Sequence, residues 1–167
     1  MEERKGVVTF KGSPVTLSGR DLGVGEAVGE FTLLGPDLAP VGSAEFEGKT
    51  VLFNVVLSLD TGICSAQTRR FNEELETLPK SVEVVTVSAD LPFAQSRFAV
   101  AEKIRHRLLS DYRDFSFAQA FGLGIKELRL LARAIFVVDQ KGVVTYRQIV
   151  PEATHHPRYE EALAAVK

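Results

Sequence analysis

Chemistry in this chain centres on one sulfur. Cys64 is the single cysteine among 167 residues, so neither an intramolecular disulfide nor a cysteine-based zinc site can form. It falls in the first turn of a predicted helix that begins directly after an apolar run, Val51 to Leu57. Unpaired amides and the positive end of the helix dipole gather there and favour thiolate, the nucleophilic form. Asp60 or Thr61 is placed to cap that helix. A lone cysteine can equally be a small buried hydrophobe. Cys64 opens the core-facing stripe of the helix, which predicts a partly sheltered sulfur. Thr61-Gly62-Ile63-Cys64 has threonine where a CxxC pair needs its first cysteine, so a dithiol is excluded.

A thiolate calls for a cation. Arg133, in Leu131-Ala132-Arg133-Ala134-Ile135, either sits buried at some cost or points to solvent from a strand edge, and both readings stay open. Arg69 and Arg70 read as a solvated helix face. His106, His155 and His156 lie in segments with no natural path to the start of the Cys64 helix, which weakens a cysteine–histidine hydrolase. His155-His156, with only Glu152 nearby, reads as a loop and not as a metal site. Gly23-Val24-Gly25 and Gly122-Leu123-Gly124 lack the strand–loop–helix context of a phosphate loop. Asp111, Asp114 and Asp139 read as turn residues, and Phe93, Phe98, Phe115, Phe117 and Phe121 as core.

The elements that must position these groups follow from the apolar pattern. Val7–Phe10 and Pro14–Leu17 flank Lys11-Gly12-Ser13 as a small hairpin. Residues 18–30 read as a loop, and Phe31–Leu34 as a strand. Val51–Leu57 and Val82–Val87 have the unbroken character of strands buried on both faces. Between them Cys64, Thr68, Phe71, Leu75 and Leu78 recur at helical spacing, ending at Pro79. Helices are predicted over 93–104, 115–121 and 157–166, and a short strand at Leu108–Leu109. Ala134–Val138 and Val143–Ile149 flank Asp139-Gln140-Lys141-Gly142 as a second hairpin. Strand, helix, strand, hairpin and terminal helix is the order of a thioredoxin-like α/β core. Residues 1–167 read as a single domain.

Lysine and arginine number 20 against 22 acidic residues, a net charge of −2. That balance gives no electrostatic reason to expect nucleic acid or an anionic membrane. The charged start, Glu2-Glu3-Arg4-Lys5, and the lack of a long apolar run predict no signal peptide and a cytoplasmic location.

Three blocks carry a resemblance. Ser58-Leu59-Asp60-Thr61-Gly62-Ile63-Cys64, continuing to Gln67-Thr68-Arg69 and Phe71-Asn72, is the first. Ser88-Ala89-Asp90-Leu91-Pro92-Phe93-Ala94-Gln95-Ser96-Arg97-Phe98 is the second, and Ala132-Arg133-Ala134 before Phe136-Val137-Val138-Asp139 the third. With Phe10–Leu17 at the start, the chain resembles the bacterial thiol peroxidase branch of the peroxiredoxins. The resemblance implies a thioredoxin-like fold with an N-terminal β-hairpin extension and peroxiredoxin-type insertions. It implies that Cys64 is the peroxidatic cysteine, that Thr61 hydrogen-bonds thiolate and peroxide, and that Arg133 completes the anion-stabilising set. Hydrogen peroxide and organic hydroperoxides are the implied substrates, with no metal or organic cofactor and a homodimeric assembly.

Two positions depart from that family. Leu57 stands where its active-site proline is expected, and Ala99 follows Arg97-Phe98 where most members carry a resolving cysteine. Reduction of an oxidised Cys64 then falls to an external thiol, such as thioredoxin or a low-molecular-weight thiol. The same departures keep a different class open: a redox-responsive binding or holdase-type protein with little turnover.

Overall fold

The computed structural model describes residues 2–167. The chain opens with the expected hairpin, β1 (Glu3–Phe10) and β2 (Ser13–Ser18), with Phe10 opposite Ser13. Lys11 and Gly12 have φ of 50° and 84°, as a type I′ turn requires of both central residues. A loop leads to β3 (Thr32–Leu34) and to β4 (Pro40–Gly42), a strand with no sequence signal. Then come β5 (Thr50–Val55), α1 (Gly62–Glu73), β6 (Val82–Ser88), α2 (Pro92–Ala101) and β7 (Arg107–Ser110). α3 (Ser116–Phe121) leads into the two-residue strands β8 (Gly124–Ile125) and β9 (Leu130–Leu131). The second hairpin is β10 (Ala134–Val138) with β11 (Val144–Ile149), and α4 (Tyr159–Ala164) closes the chain.

The main sheet has the order β11-β10-β5-β6-β7-β3-β4. β5, β6 and β7 run parallel, with α1 and α2 as the crossovers, and β10 lies antiparallel on β5. This is a thioredoxin-like α/β fold. The N-terminal hairpin forms a separate sheet, β1-β2-β8-β9.

Strand alternation divides the core. Val51, Phe53 and Val55 of β5 join one apolar cluster, with Phe31, Phe117 and Phe121; Leu52 joins another, with Phe71, Ile135 and Leu163. Both faces are therefore covered, which is why the run reads as continuously apolar. Phe117 and Phe121 stack at 4.1 Å, and Phe121 meets Phe136 edge-on at 5.0 Å.

Several boundaries differ from the sequence expectation. α1 ends at Glu73, and a 3-10 turn over Glu74–Thr77 carries Leu75 on towards Pro79. α4 starts at Tyr159 and not at Pro157, because Arg158 keeps an extended backbone, φ −87° and ψ 92°, as its N-cap; its amide donates to the Gln148 side chain at 2.8 Å. Phe93 is exposed while Phe117 and Phe121 are fully buried, since Phe93 lies on the solvent side of α2. Asp111 is no turn residue at the surface: it is buried, and its carboxylate accepts from the amides of Phe117 and Ala118 at 3.1 and 2.9 Å.

Gly122 ends α3 in the left-handed region, φ 67°, where glycine is strain-free. A Cβ there would stand 2.1 Å from the Arg20 carbonyl oxygen, so the loop after β2 closes on α3 only over a missing side chain. We expect Gly122→Ala to destabilise the fold by about 2 kcal/mol or more, lowering Tm by roughly 4–8 °C, measured by calorimetry.

Candidate active site

The segment between β5 and α1 is held by one carboxylate. Asp90, just past β6, accepts from the Ser58 hydroxyl at 2.8 Å, the Leu59 amide at 2.8 Å and the Ser88 hydroxyl at 2.7 Å. This anchors residues 58–59 beside the end of β6. Thr61 then takes the N-cap backbone conformation, φ −100° and ψ 150°, without a side-chain cap bond. Its hydroxyl instead donates back to the Ser58 carbonyl at 3.0 Å. The α1 amides of Gly62, Ile63 and Cys64 have no protein acceptor, which is the ordinary state of a helix start.

Cys64 is fully buried, in the same core cluster as Leu57 and Leu59. The expectation of partial shelter thus becomes complete shelter. At the start of α1 a pocket of about 340 Å³ is lined by Phe10, Lys11, Leu57, Thr61, Ile63 and Arg133, and Cys64 lies buried behind this wall without lining it.

Arg133 settles the choice left open by sequence: it is only 3% exposed. Its Nε donates to the Ala153 carbonyl at 2.9 Å, and its Nη1 donates to Gln67 Oε1 at 2.9 Å. Among the described residues no carboxylate pairs with it. A buried cation without a counter-ion is costly, and its Nη2 has no protein acceptor. The arrangement can therefore hold an anion in the pocket. Gln67 lies three residues beyond Cys64 on α1, so the guanidinium meets the face of the helix that carries the sulfur.

Behind Gln67 the polar contacts continue beneath α1. Gln67 Nε2 donates to Asn54 Oδ1, and Asn54 Nδ2 donates to the hydroxyls of Thr68 and Thr86 at 3.2 and 2.9 Å. Thr86 Oγ1 lies 2.7 Å from His106 Nε2, and His106 Nδ1 lies 3.3 Å from Asn72 Oδ1. Burial holds His106 down at about 4. None of the three histidines hydrogen-bonds Cys64, and His155 and His156 lie exposed on their loop.

Residues 23–163 match the redoxin family. A thiol peroxidase of Halalkalibacterium halodurans is 53% identical over 161 residues, 96% of each chain, and one of Bacillus subtilis is 52% identical over the same share. The chain belongs to the thiol peroxidases of the redoxin family. A crystal structure of a peroxiredoxin-like protein from Aquifex aeolicus superposes with a TM-score of 0.89 at 36% identity, covering 98% of this chain and 95% of that one. Thiol peroxidase from Chromobacterium violaceum, at 18% identity, shares the fold with a TM-score of 0.80 over 92% of this chain and 91% of that one.

As a thiol peroxidase this chain is an oxidoreductase, and the binding-protein and hydrolase readings lapse. Its one cysteine leaves it without a resolving partner, and Ala99 lies partly buried on α2. Thr61 and Arg133 border one pocket, and the Thr61 hydroxyl is engaged by the Ser58 carbonyl and not by sulfur.

Four residues escape the sequence reading. Asp90 was visible only as part of a motif. Asn54 interrupts an apolar run, and Gln67 interrupts the buried stripe of α1; a polar side chain at a buried position demands a partner. Glu152 is the fourth site support and looked like a loop residue. Its carboxylate accepts from the Thr9 hydroxyl at 2.9 Å, the Gly12 amide at 2.8 Å and the Thr154 amide at 2.7 Å. Its hydrogen bonds, that to the Thr154 hydroxyl first, hold it down at about 2. It thereby ties the hairpin that bears Phe10 to the loop that bears Ala153.

Two buried groups respond to pH in opposite directions. His106 is held near 4, below its ordinary 6.5, so its contribution is present above 6.5 and lost as pH falls through about 4. Asp111 is pushed by burial from 3.8 to about 7, against the two amides it accepts from. Its contribution is present below 3.8 and lost as pH rises through about 7. Asp111→Asn should therefore gain stability relative to the wild type as pH rises between those limits, read from paired urea melts across the range.

Proposed function

We propose that this thiol peroxidase reduces hydrogen peroxide and organic hydroperoxides through a sulfenic acid on Cys64, with Thr61 and Arg133 completing the site. The observation that carries this reading is the buried, carboxylate-free Arg133 guanidinium set against the Cys64 face of α1. Together with the free amides at the start of the helix, it gives the pocket donors for a negatively charged oxygen.

In the step itself the thiolate attacks one peroxide oxygen. An S–O bond forms as the O–O bond breaks; sulfur is oxidised by two electrons and the peroxide reduced. The leaving oxygen departs as hydroxide or alkoxide and takes a proton from solvent. Negative charge grows on that oxygen beside Arg133 Nη2, where a preorganised donor lowers the barrier most. Thr61, whose proton goes to Ser58, offers lone pairs to the peroxide O–H. Leu57, Ile63 and Phe10 give the pocket an apolar wall suited to an alkyl group.

With no second cysteine in the chain, an external thiol such as thioredoxin or a low-molecular-weight thiol attacks the sulfenic sulfur. Water leaves, and a second thiol then releases Cys64 and a disulfide. The homodimer and cytoplasmic location implied by the family belong to this same reading, and among the described residues no helix is long and apolar enough to cross a membrane.

Stopped-flow oxidation of the reduced protein by cumene hydroperoxide and hydrogen peroxide, with intact mass read afterwards, tests the reading. We expect fast gain of one oxygen on Cys64, one turnover without added thiol, and continuing turnover with it. Oxidation no faster than a free thiol overturns it. Arg133→Lys should slow the oxygen transfer by about 10²-fold, measured in the same single-turnover experiment.

A further inference from the structure

Leu57 lies where the main sheet parts. Along β5 the amides alternate between the two neighbouring strands. Val55 pairs with Ala134 of β10, and the Val56 amide turns the other way, donating to the Val87 carbonyl of β6 at 3.1 Å. The next amide, that of Leu57, turns back to the β10 side, where a continued register would set it opposite Ala132. Ala132 instead follows the second sheet. Its amide donates to the Leu123 carbonyl at 2.8 Å, extending the pairing of Gly124 with Leu131 between β8 and β9. The ladder ends there, and among the described residues the Leu57 amide has no acceptor.

The pocket opens at the same place. Leu57, from the end of β5, and Arg133, from the start of β10, both line it together with Thr61. Leu57 is only 4% exposed, so bulk water has little access to its backbone. A buried N–H without an acceptor costs about as much as a lost hydrogen bond. What enters the pocket can supply that acceptor, and a peroxide brings two oxygens. Proline, the residue expected at 57 from the family resemblance, has no N–H; the donor comes with leucine.

We propose that the Leu57 amide is a further catalytic group, donating to the leaving peroxide oxygen and sharing with Arg133 the negative charge that grows there as the O–O bond breaks. This rests on the peroxidase reading above. A backbone N–H is fixed before the charge appears and needs no reorganisation to meet it, which is the condition for a donor to lower the barrier. Its proton stays on nitrogen, so the balance of the oxygen-transfer step is unchanged.

The test compares two substitutions at one position in single-turnover oxidation by hydrogen peroxide and by cumene hydroperoxide. Leu57→Val and Leu57→Pro leave the same number of side-chain carbons on the pocket wall, and only valine keeps the N–H. We expect Leu57→Pro to transfer oxygen roughly tenfold more slowly than Leu57→Val with both peroxides, the effect of one neutral hydrogen bond. A second variant separates the donor from any strain of the proline ring: leucine at 57 replaced by its α-hydroxy acid, which turns this one amide into an ester and keeps the side chain. It should slow both oxidations by a similar factor against the wild type, with calorimetry confirming that it is folded. Leu57→Pro as fast as Leu57→Val, or an ester variant at the wild-type rate, overturns the proposal and leaves the peroxidase reading intact. Should proline not fold at this site, the ester variant alone decides. Wild-type protein that oxidises no faster than a free thiol removes the peroxidase reading, and this inference with it.

Discussion

A positive charge kept inside the protein without a negative one is the constraint around which this site is built. Pairing Arg133 with a carboxylate would have been the ordinary way to bury it. The chain instead supplies two neutral oxygens, the Ala153 carbonyl and the Gln67 amide. Neutral acceptors satisfy hydrogen-bonding capacity while leaving the field of the cation in place, and that field is strong where water is excluded. The start of α1 adds its unpaired amides to the same region. Both influences suit the pocket to a negatively charged group.

The acidic residues that help assemble the site are placed out of Arg133's reach. Asp90 spends its carboxylate on Ser58, Leu59 and Ser88, and Glu152 spends its own on Thr9, Gly12 and Thr154. Each clamps a loop to a neighbouring segment through neutral donors. Asp90 sets the approach to α1, and Glu152 brings the N-terminal hairpin against the loop whose carbonyl holds Arg133. The hairpin belongs to a different sheet from β5 and β10, so without such a tie the Phe10 wall and the Arg133 floor of the pocket would have little reason to keep their spacing.

Much of this was legible in the linear pattern. Runs of β-branched and aromatic residues marked β5, β6 and β10, and the Lys11-Gly12 and Asp139–Gly142 turns marked both hairpins, because these signals are local. Strands β4, β8 and β9 carried no signal: at two or three residues each they exist through pairing and not through propensity. Asp111 resembled a turn residue because aspartate is common in turns; its burial depends on α3 folding back to present two amides.

Sequence alone determined the chemistry available: one thiol at a helix start, a nearby threonine, no second cysteine, and an arginine bordered by small and apolar residues. Whether that arginine pointed to water or lay buried could not be read from its neighbours in the chain. The tertiary structure decided it, because the acceptors that make burial tolerable, Gln67 and Ala153, lie 66 and 20 residues away along the chain. Only the crossing of α1 over β5, with the 151–154 loop beside it, brings them to one guanidinium.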